Sequence, residues 1–249
     1  MCTLTWFHTA HGYELFFNRD ESIERQRAEI PVVKRQQGID YIAPTDTDAG
    51  GTWISVNALG VTVCLLNHYQ FEQIKTYKQW VSRGVLVRCF ADVVDVIDAK
   101  TRFASLNLED YRAFRLFVLT AEGDKQLFVW DGHEPRIESH VSQPKSSSSV
   151  DAKHVKGERR TLYHSMNLHD SKDVAAHLAF HRSHVPTASK ESVCMHRPEA
   201  NTVSLSHVSV ASDQIQFAYA DGAPCQASFA EPVWLERRFL GEVKRSISL

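Results

Sequence analysis

The apolar positions of this chain follow two periods, and the places where one yields to the other mark its elements. Residues 1–8 and 13–21 are rich in aromatic and β-branched side chains and flank Thr9-Ala10-His11-Gly12, a turn ending in glycine; they read as two antiparallel strands. With that loop, His8 faces Tyr13, and counting back sets Cys2 opposite Arg19, with both side chains on one face. A second hairpin runs over 52–57 and 61–67, turning at Ala58-Leu59-Gly60, where Gly60 supplies a positive φ. The pair Gly50-Gly51 just before it allows close backbone approach to a ligand. Over 80–100 the period lengthens: Val85, Leu86, Cys89, Val93, Val96 and Ile97 predict one helix with Ser82 as N-cap. Strands follow at 114–120 and 126–130, with a third running toward Val141.

The polar stretch 142–149, with Pro144 and four consecutive serines, reads as a loop. Two helices are expected over 150–166, interrupted at Gly157, and over 171–184. Strands return at 192–196, 202–210 and 214–220, and Trp234, Leu235, Phe239 and Leu240 are expected to pack as a final wrap.

With 249 residues and 43% hydrophobic content, the chain can bury a sizeable core as a single domain over 1–249. A net charge of −2 with scattered Lys and Arg leaves no footprint for nucleic acid. No apolar run is long enough for a membrane span, and no secretory signal is visible. Five widely spaced cysteines without a CxxC argue against a disulfide framework and for a cytoplasmic location.

The position of Cys2 gives the hairpin a chemical reading. Removal of Met1 would leave a thiol and a free α-amine on one residue. An α-amine titrates at about 7.7–8.0 and can accept a proton at neutral pH. Arg19 would favour the thiolate by its field, and Asp20 would hold the amine by a charge-assisted hydrogen bond. Such a set suits acyl transfer from an amide or thioester. The plain alternative is a small buried cysteine beside a surface ion pair.

Cys2 before an aromatic strand, Asn18-Arg19-Asp20-Glu21, Gly50-Gly51-Thr52-Trp53, a strand ending at Asn67, and Asn201-Thr202-Val203-Ser204 occur in this order. In these motifs the chain resembles the NRDE family, the transport-and-Golgi-organisation-two-like proteins, which looks like a branch of the N-terminal-nucleophile hydrolases. The resemblance is close over about residues 1–70 and looser beyond. It implies an α+β fold, a four-layer αββα sandwich of two antiparallel sheets, with the cysteine at a strand start between the layers. By similarity to the cholylglycine and penicillin V hydrolases, it implies that Arg19 and Asp20 assist Cys2, that Asn67 contributes to an oxyanion hole, and that Arg197 is a distal substrate-binding arginine. Many relatives carry a Ser-Asn pair where this chain has Ser146-Ser147-Ser148-Ser149, so the second oxyanion Asn is missing and a serine hydroxyl would replace it.

The resulting expectation is hydrolysis of a non-peptide amide bond, or acyl transfer, on a small-molecule amide or acyl substrate, with no cofactor and no metal. The competing class is a non-enzymatic haem- or acyl-lipid-binding or trafficking protein on the same scaffold. His177, His181 and His184 recur at i, i+4 and i+7, a spacing able to ligate zinc or haem iron, but with no HExxH motif they read as a solvated helix face. His8 and His11 are expected at an exposed hairpin tip. Oligomeric state is left open.

Overall fold

The computed structural model describes residues 2–69 and 79–241. In chain order its elements are β1 (Cys2–His8), β2 (Tyr13–Ser22), β3 (Glu29–Gln36), β4 (Ile39–Thr45), β5 (Ile54–Asn57), β6 (Thr62–Asn67), α1 (Gly84–Cys89) and α2 (Val96–Ala104). There follow β7 (Phe114–Leu119), β8 (Lys125–Trp130), β9 (Pro135–Glu138), β10 (Lys145–Ser147), α3 (Ala152–Ser165), α4 (Val174–His181), β11 (Ala200–Val210), β12 (Gln214–Asp221) and β13 (Val233–Glu236).

Two antiparallel sheets form. One is six-stranded, in the order β10-β1-β2-β11-β12-β13; the other is seven-stranded, in the order β3-β4-β5-β6-β7-β8-β9. The first hairpin has the register expected from its turn, His8 facing Tyr13 and Cys2 facing Arg19. Alternation then divides β1 and β2 between two layers. Leu4, Trp6, Leu15 and Phe17 enter the core between the sheets, where they meet Ile54, Val56, Leu66 and Phe117. Their neighbours on the other face meet helices: Phe16 packs with Leu205, Val174 and Leu178. On the far side, Leu86, Phe90 and Phe103 of α1, α2 and the link between them cover Leu116, Val118 and Phe128 of the second sheet. Each such fully buried side chain contributes about 1.5–3 kcal/mol. The result is a four-layer αββα sandwich.

Several local expectations are corrected. The helix over 80–100 is two short helices. The Asn57 amide donates to the carbonyls of Ala91 and Val93 at 3.1 and 2.8 Å, which takes the backbone between them out of any helical ladder. Asp95, not Ser82, supplies a side-chain N-cap, accepting from Ile97 and Asp98 N–H at the start of α2. Residues 145–147 are not loop but an edge strand paired with β1. Residues 192–196 form no strand beyond one isolated bridge, His196 to Asn201. Gly157 does not interrupt α3.

At the C-terminal end, Trp234, Phe239 and Leu240 are exposed, and among the described residues after β12 Val233 and Leu235 pack on the core between the sheets. The hairpin β3–β4 went unpredicted: Ile30, Val32 and Val33 are exposed on it, so its apolar residues carry no clean alternation. Its turn is Gln37-Gly38, both at positive φ. Among the described residues, no helix is long and apolar enough to cross a membrane.

Candidate active site

A cavity of about 650 Å³ opens where β1, β2 and β6 meet the segment leading into α1; Cys2, Arg19, Thr52, Trp53, Asn67 and Arg83 are among its lining residues. Cys2 lies at the start of β1, between β2 on one side and β10 on the other, facing Arg19 and Ser147. It is 8% exposed. Burial pushes its thiol up to about 11; the positive amino terminus and the Asp20 backbone N–H act against this, and the Asp20 and Glu21 carboxylates act with it. The thiol is therefore neutral near pH 7 and needs a base to become a nucleophile. Its own backbone nitrogen donates to Ser147 Oγ at 3.0 Å. Met1, whose removal would turn that nitrogen into an α-amine, lies outside the described residues.

The Asn18-Arg19-Asp20-Glu21 tetrapeptide straddles β2, and its side chains do two jobs by parity. Arg19 and Glu21 line the cavity. The Arg19 guanidinium lies 2.6 Å from Asp46, 3.6 Å from Glu21 and 3.9 Å over the Trp53 ring. Its charge is thus shared with Asp46, 2.6 Å away. Arg25 also reaches Asp46, at 2.9 Å.

Asn18 and Asp20 anchor the helical layer instead. Asn18 donates to the carbonyls of His181 and Val193 at 2.9 and 3.0 Å. Asp20 accepts from Thr202 Oγ at 2.7 Å and faces the fully buried Arg159 of α3 at 3.5 Å. Arg159 donates in turn to Thr3 at 2.6 Å. Asp20 also borders the cavity and acts on the Cys2 thiol through its backbone and its charge.

Asn67 ends β6 at the cavity wall and donates to the Tyr69 hydroxyl at 2.6 Å. Arg197 does not line this cavity. It borders an adjoining hollow of about 480 Å³ with Ser149 and is ion-paired with Glu199. The two hollows share Asp20, Glu21 and Tyr69. Gly51 makes a close approach to protein, where a Cβ would fall 2.5 Å from the Gly84 carbonyl carbon, while Gly50 faces open space.

The residues that sequence reasoning missed are partners of the expected ones. Trp53 and Thr202 stood inside quoted motifs without a role. Asp46, Ser147 and Arg159 come from 27, 145 and 139 residues away from the groups they hold, and no local pattern links them. The histidines of α4 are also corrected. His177 and His181 are fully buried, not solvated. Thr5 Oγ lies 3.1 Å from His177 Nδ1 and 2.9 Å from His181 Nε2, and His181 Nδ1 is 3.0 Å from Asn18 Oδ1. Since the Asn18 amide N–H groups already go to two carbonyls, its oxygen must accept from His181 Nδ1–H. Burial holds His181 well below its ordinary value, so near pH 7 the ring is neutral and its Nε2 accepts the Thr5 hydroxyl.

A sandwich of this topology, with a cysteine at the head of the first strand, has the fold of the N-terminal-nucleophile hydrolases. Three solved structures are similar to it. A mutant of the conjugated bile acid hydrolase from Clostridium perfringens is 12% identical, with a TM-score of 0.54, over 96% of this chain and 97% of that one. Penicillin V acylase from Agrobacterium tumefaciens is 9% identical, TM-score 0.54, over 95% and 86%. The Caenorhabditis elegans ortholog of N-acylethanolamine-hydrolyzing acid amidase is 11% identical, TM-score 0.55, over 83% and 92%. No curated protein matches in sequence. The family model for Transport and Golgi organisation 2 matches residues 1–216, and the chain belongs to that family.

Proposed function

We propose that this protein hydrolyses a small-molecule amide, or transfers its acyl group, with Cys2 as the nucleophile after loss of Met1. The observation that carries the reading is the seat of Cys2. It combines a thiol bordering a cavity, a backbone nitrogen held by Ser147 Oγ, and the Asp20 backbone N–H acting to favour the thiolate. The freed α-amine would take the thiol proton as sulfur attacks the carbonyl carbon, and would return it to the leaving amine. Water, activated by the same amine, would then release the acid. Positioned base catalysis of this kind contributes about 10²–10⁴-fold. Asn67 and a backbone N–H would receive the oxyanion, a contribution of about 3–4 kcal/mol for a well-aimed donor.

The fold-level likeness to bile acid hydrolase, penicillin V acylase and an acylethanolamine amidase supports an amide of small size. Arg83 and Arg112 line the same cavity, and among the described residues neither forms a close ion pair, Glu21 reaching Arg83 only through its field, so an anionic group on the substrate fits.

Processed protein incubated with a panel of acyl amides and thioesters, with and without a carboxylate or sulfonate tail, tests the reading by intact mass. The expected result is an acyl adduct on Cys2, lost in Cys2→Ala, which keeps its fold. Turnover undiminished in Cys2→Ala would end it.

A further inference from the structure

Away from the Cys2 cavity, four side chains converge that no sequence motif groups together. His184 and Cys194 come from the irregular segment after α4, His196 from its end, and Cys225 from the turn after β12. One potential ligand atom from each lies within 4.8 Å of all the others. Both cysteines are free thiols. Cys194 Sγ is 3.6 Å and Cys225 Sγ 3.5 Å from the same atom, His196 Nε2. The His184 ring meets the His196 ring edge-on, with centroids 4.9 Å apart. His184 Nε2 is buried and has no hydrogen-bond partner.

We propose that His184, Cys194, His196 and Cys225 form a Cys2His2 site for a structural zinc ion. Hydrogen bonding explains the cluster poorly. One ring nitrogen carries either one lone pair or one N–H, so His196 Nε2 pairs fully with at most one of the two thiols, and the orphaned nitrogen of His184 would stay unsatisfied at a cost of about 1–3 kcal/mol. A tetrahedral ion explains both features. With zinc–sulfur bonds of about 2.3 Å and zinc–nitrogen bonds of about 2.0–2.1 Å, a sulfur and a nitrogen ligand lie roughly 3.6 Å apart. That is the spacing at His196. Two thiols and two imidazoles form a donor set suited to zinc over the hard cations. On binding, each thiol gives its proton to solvent, and the ion with two thiolates and two neutral imidazoles carries no net charge, which suits a half-buried site.

The position gives the ion a purpose. Cys194 and His196 flank Met195, whose N–H donates to Thr202 Oγ at 2.7 Å and whose carbonyl accepts from Thr202 N–H at 2.9 Å. Thr202 in turn holds Asp20. The ion would clamp the irregular segment 182–197 to the turn after β12, and so keep this chain of bonds in place behind β2.

Full-length, tag-free protein purified under reducing conditions from zinc-supplemented culture tests the site. The expected result is one zinc per chain by elemental analysis after gel filtration. Replacement by cobalt should give tetrahedral d–d bands together with a thiolate-to-cobalt charge-transfer band. The double variant Cys194→Ser/Cys225→Ser should hold no metal above background, while Cys64→Ser holds as much as the parent. The cobalt spectrum of the parent protein decides the matter even if the double variant fails to fold. Stoichiometric cobalt without a thiolate band, metal-free parent protein that takes up none on titration, or a Cys194–Cys225 disulfide in that preparation overturns the proposal. The test is independent of Cys2 chemistry, since Cys2→Ala should bind the same metal.

Discussion

Arg19 and Asp46 form an ion pair at 2.6 Å, with side chains 6% and 12% exposed, on the cavity side of β2. The pair joins the first sheet to the loop between β4 and β5, and it is over-determined. Asp46 also accepts from the N–H groups of Asp48 and Ala49, and the Arg19 guanidinium carbon lies over the Trp53 ring. Arg19 is thus as much a strut between the sheets as a charge beside a thiol.

Asp46→Ala leaves a guanidinium without its closest counter-charge in a nearly closed site. Breaking such a pair from one side costs about 3–5 kcal/mol when fully buried. With Glu21 at 3.6 Å to compensate in part, a loss of about 2–3 kcal/mol is expected in urea unfolding, and Asp46→Asn should lose less. Equal stability of Asp46→Ala and the parent would show the pair to be dispensable.

Acid should weaken the fold through the buried histidines. Burial, then His177, Arg159 and His207, hold His181 well below its ordinary value, and burial likewise lowers His177. Below about pH 6.5 the unfolded chain takes up protons that the folded chain refuses. Stability is therefore full above that pH and falls as pH drops, by up to about 1.4 kcal/mol per unit for each refused proton. His68, held at about 4 chiefly by burial, adds to the slope down to that pH. His181→Gln should flatten the dependence of urea midpoint on pH between about 6.5 and 5. An unchanged slope would remove His181 from the account.

Two glycines predict opposite signs. Gly51 packs backbone to backbone on Gly84, and a Cβ there would strike the Gly84 carbonyl carbon and Cα at 2.5 and 2.7 Å. Gly51→Ala should destabilise by about 1–3 kcal/mol and shift α1 against the cavity wall. Gly157 lies inside α3 with nothing within 4 Å of the added carbon, so Gly157→Ala should stabilise by about 0.5–1 kcal/mol. Thermal unfolding of both variants beside the parent measures the pair.

Elements governed by local periods were legible before folding, and elements governed by distant partners were not. The hairpins β1–β2 and β5–β6 follow from turn length and strand chemistry, so Cys2 facing Arg19 needed only counting. The helix over 80–100 failed because a buried amide 34 residues away, on Asn57, claims a carbonyl in its middle. The α4 histidines were misread because a spacing of i, i+4 describes a face without saying what covers it. Here Thr5 and Asn18 of the first sheet cover it.

The amino-acid order alone determined the register of the first hairpin, the positions of Cys2, Arg19 and Asp20 along it, and the strand that ends at Asn67. These depend on side-chain period and turn geometry, which act over a few residues. Only the tertiary structure decided that Asp46 takes Arg19, that Thr202 and Arg159 take Asp20 on the opposite face, and that Cys225 meets Cys194 and two histidines. Those pairings form when sheets and helices stack, and stacking is selected by the burial of whole faces, a property no short stretch of sequence contains.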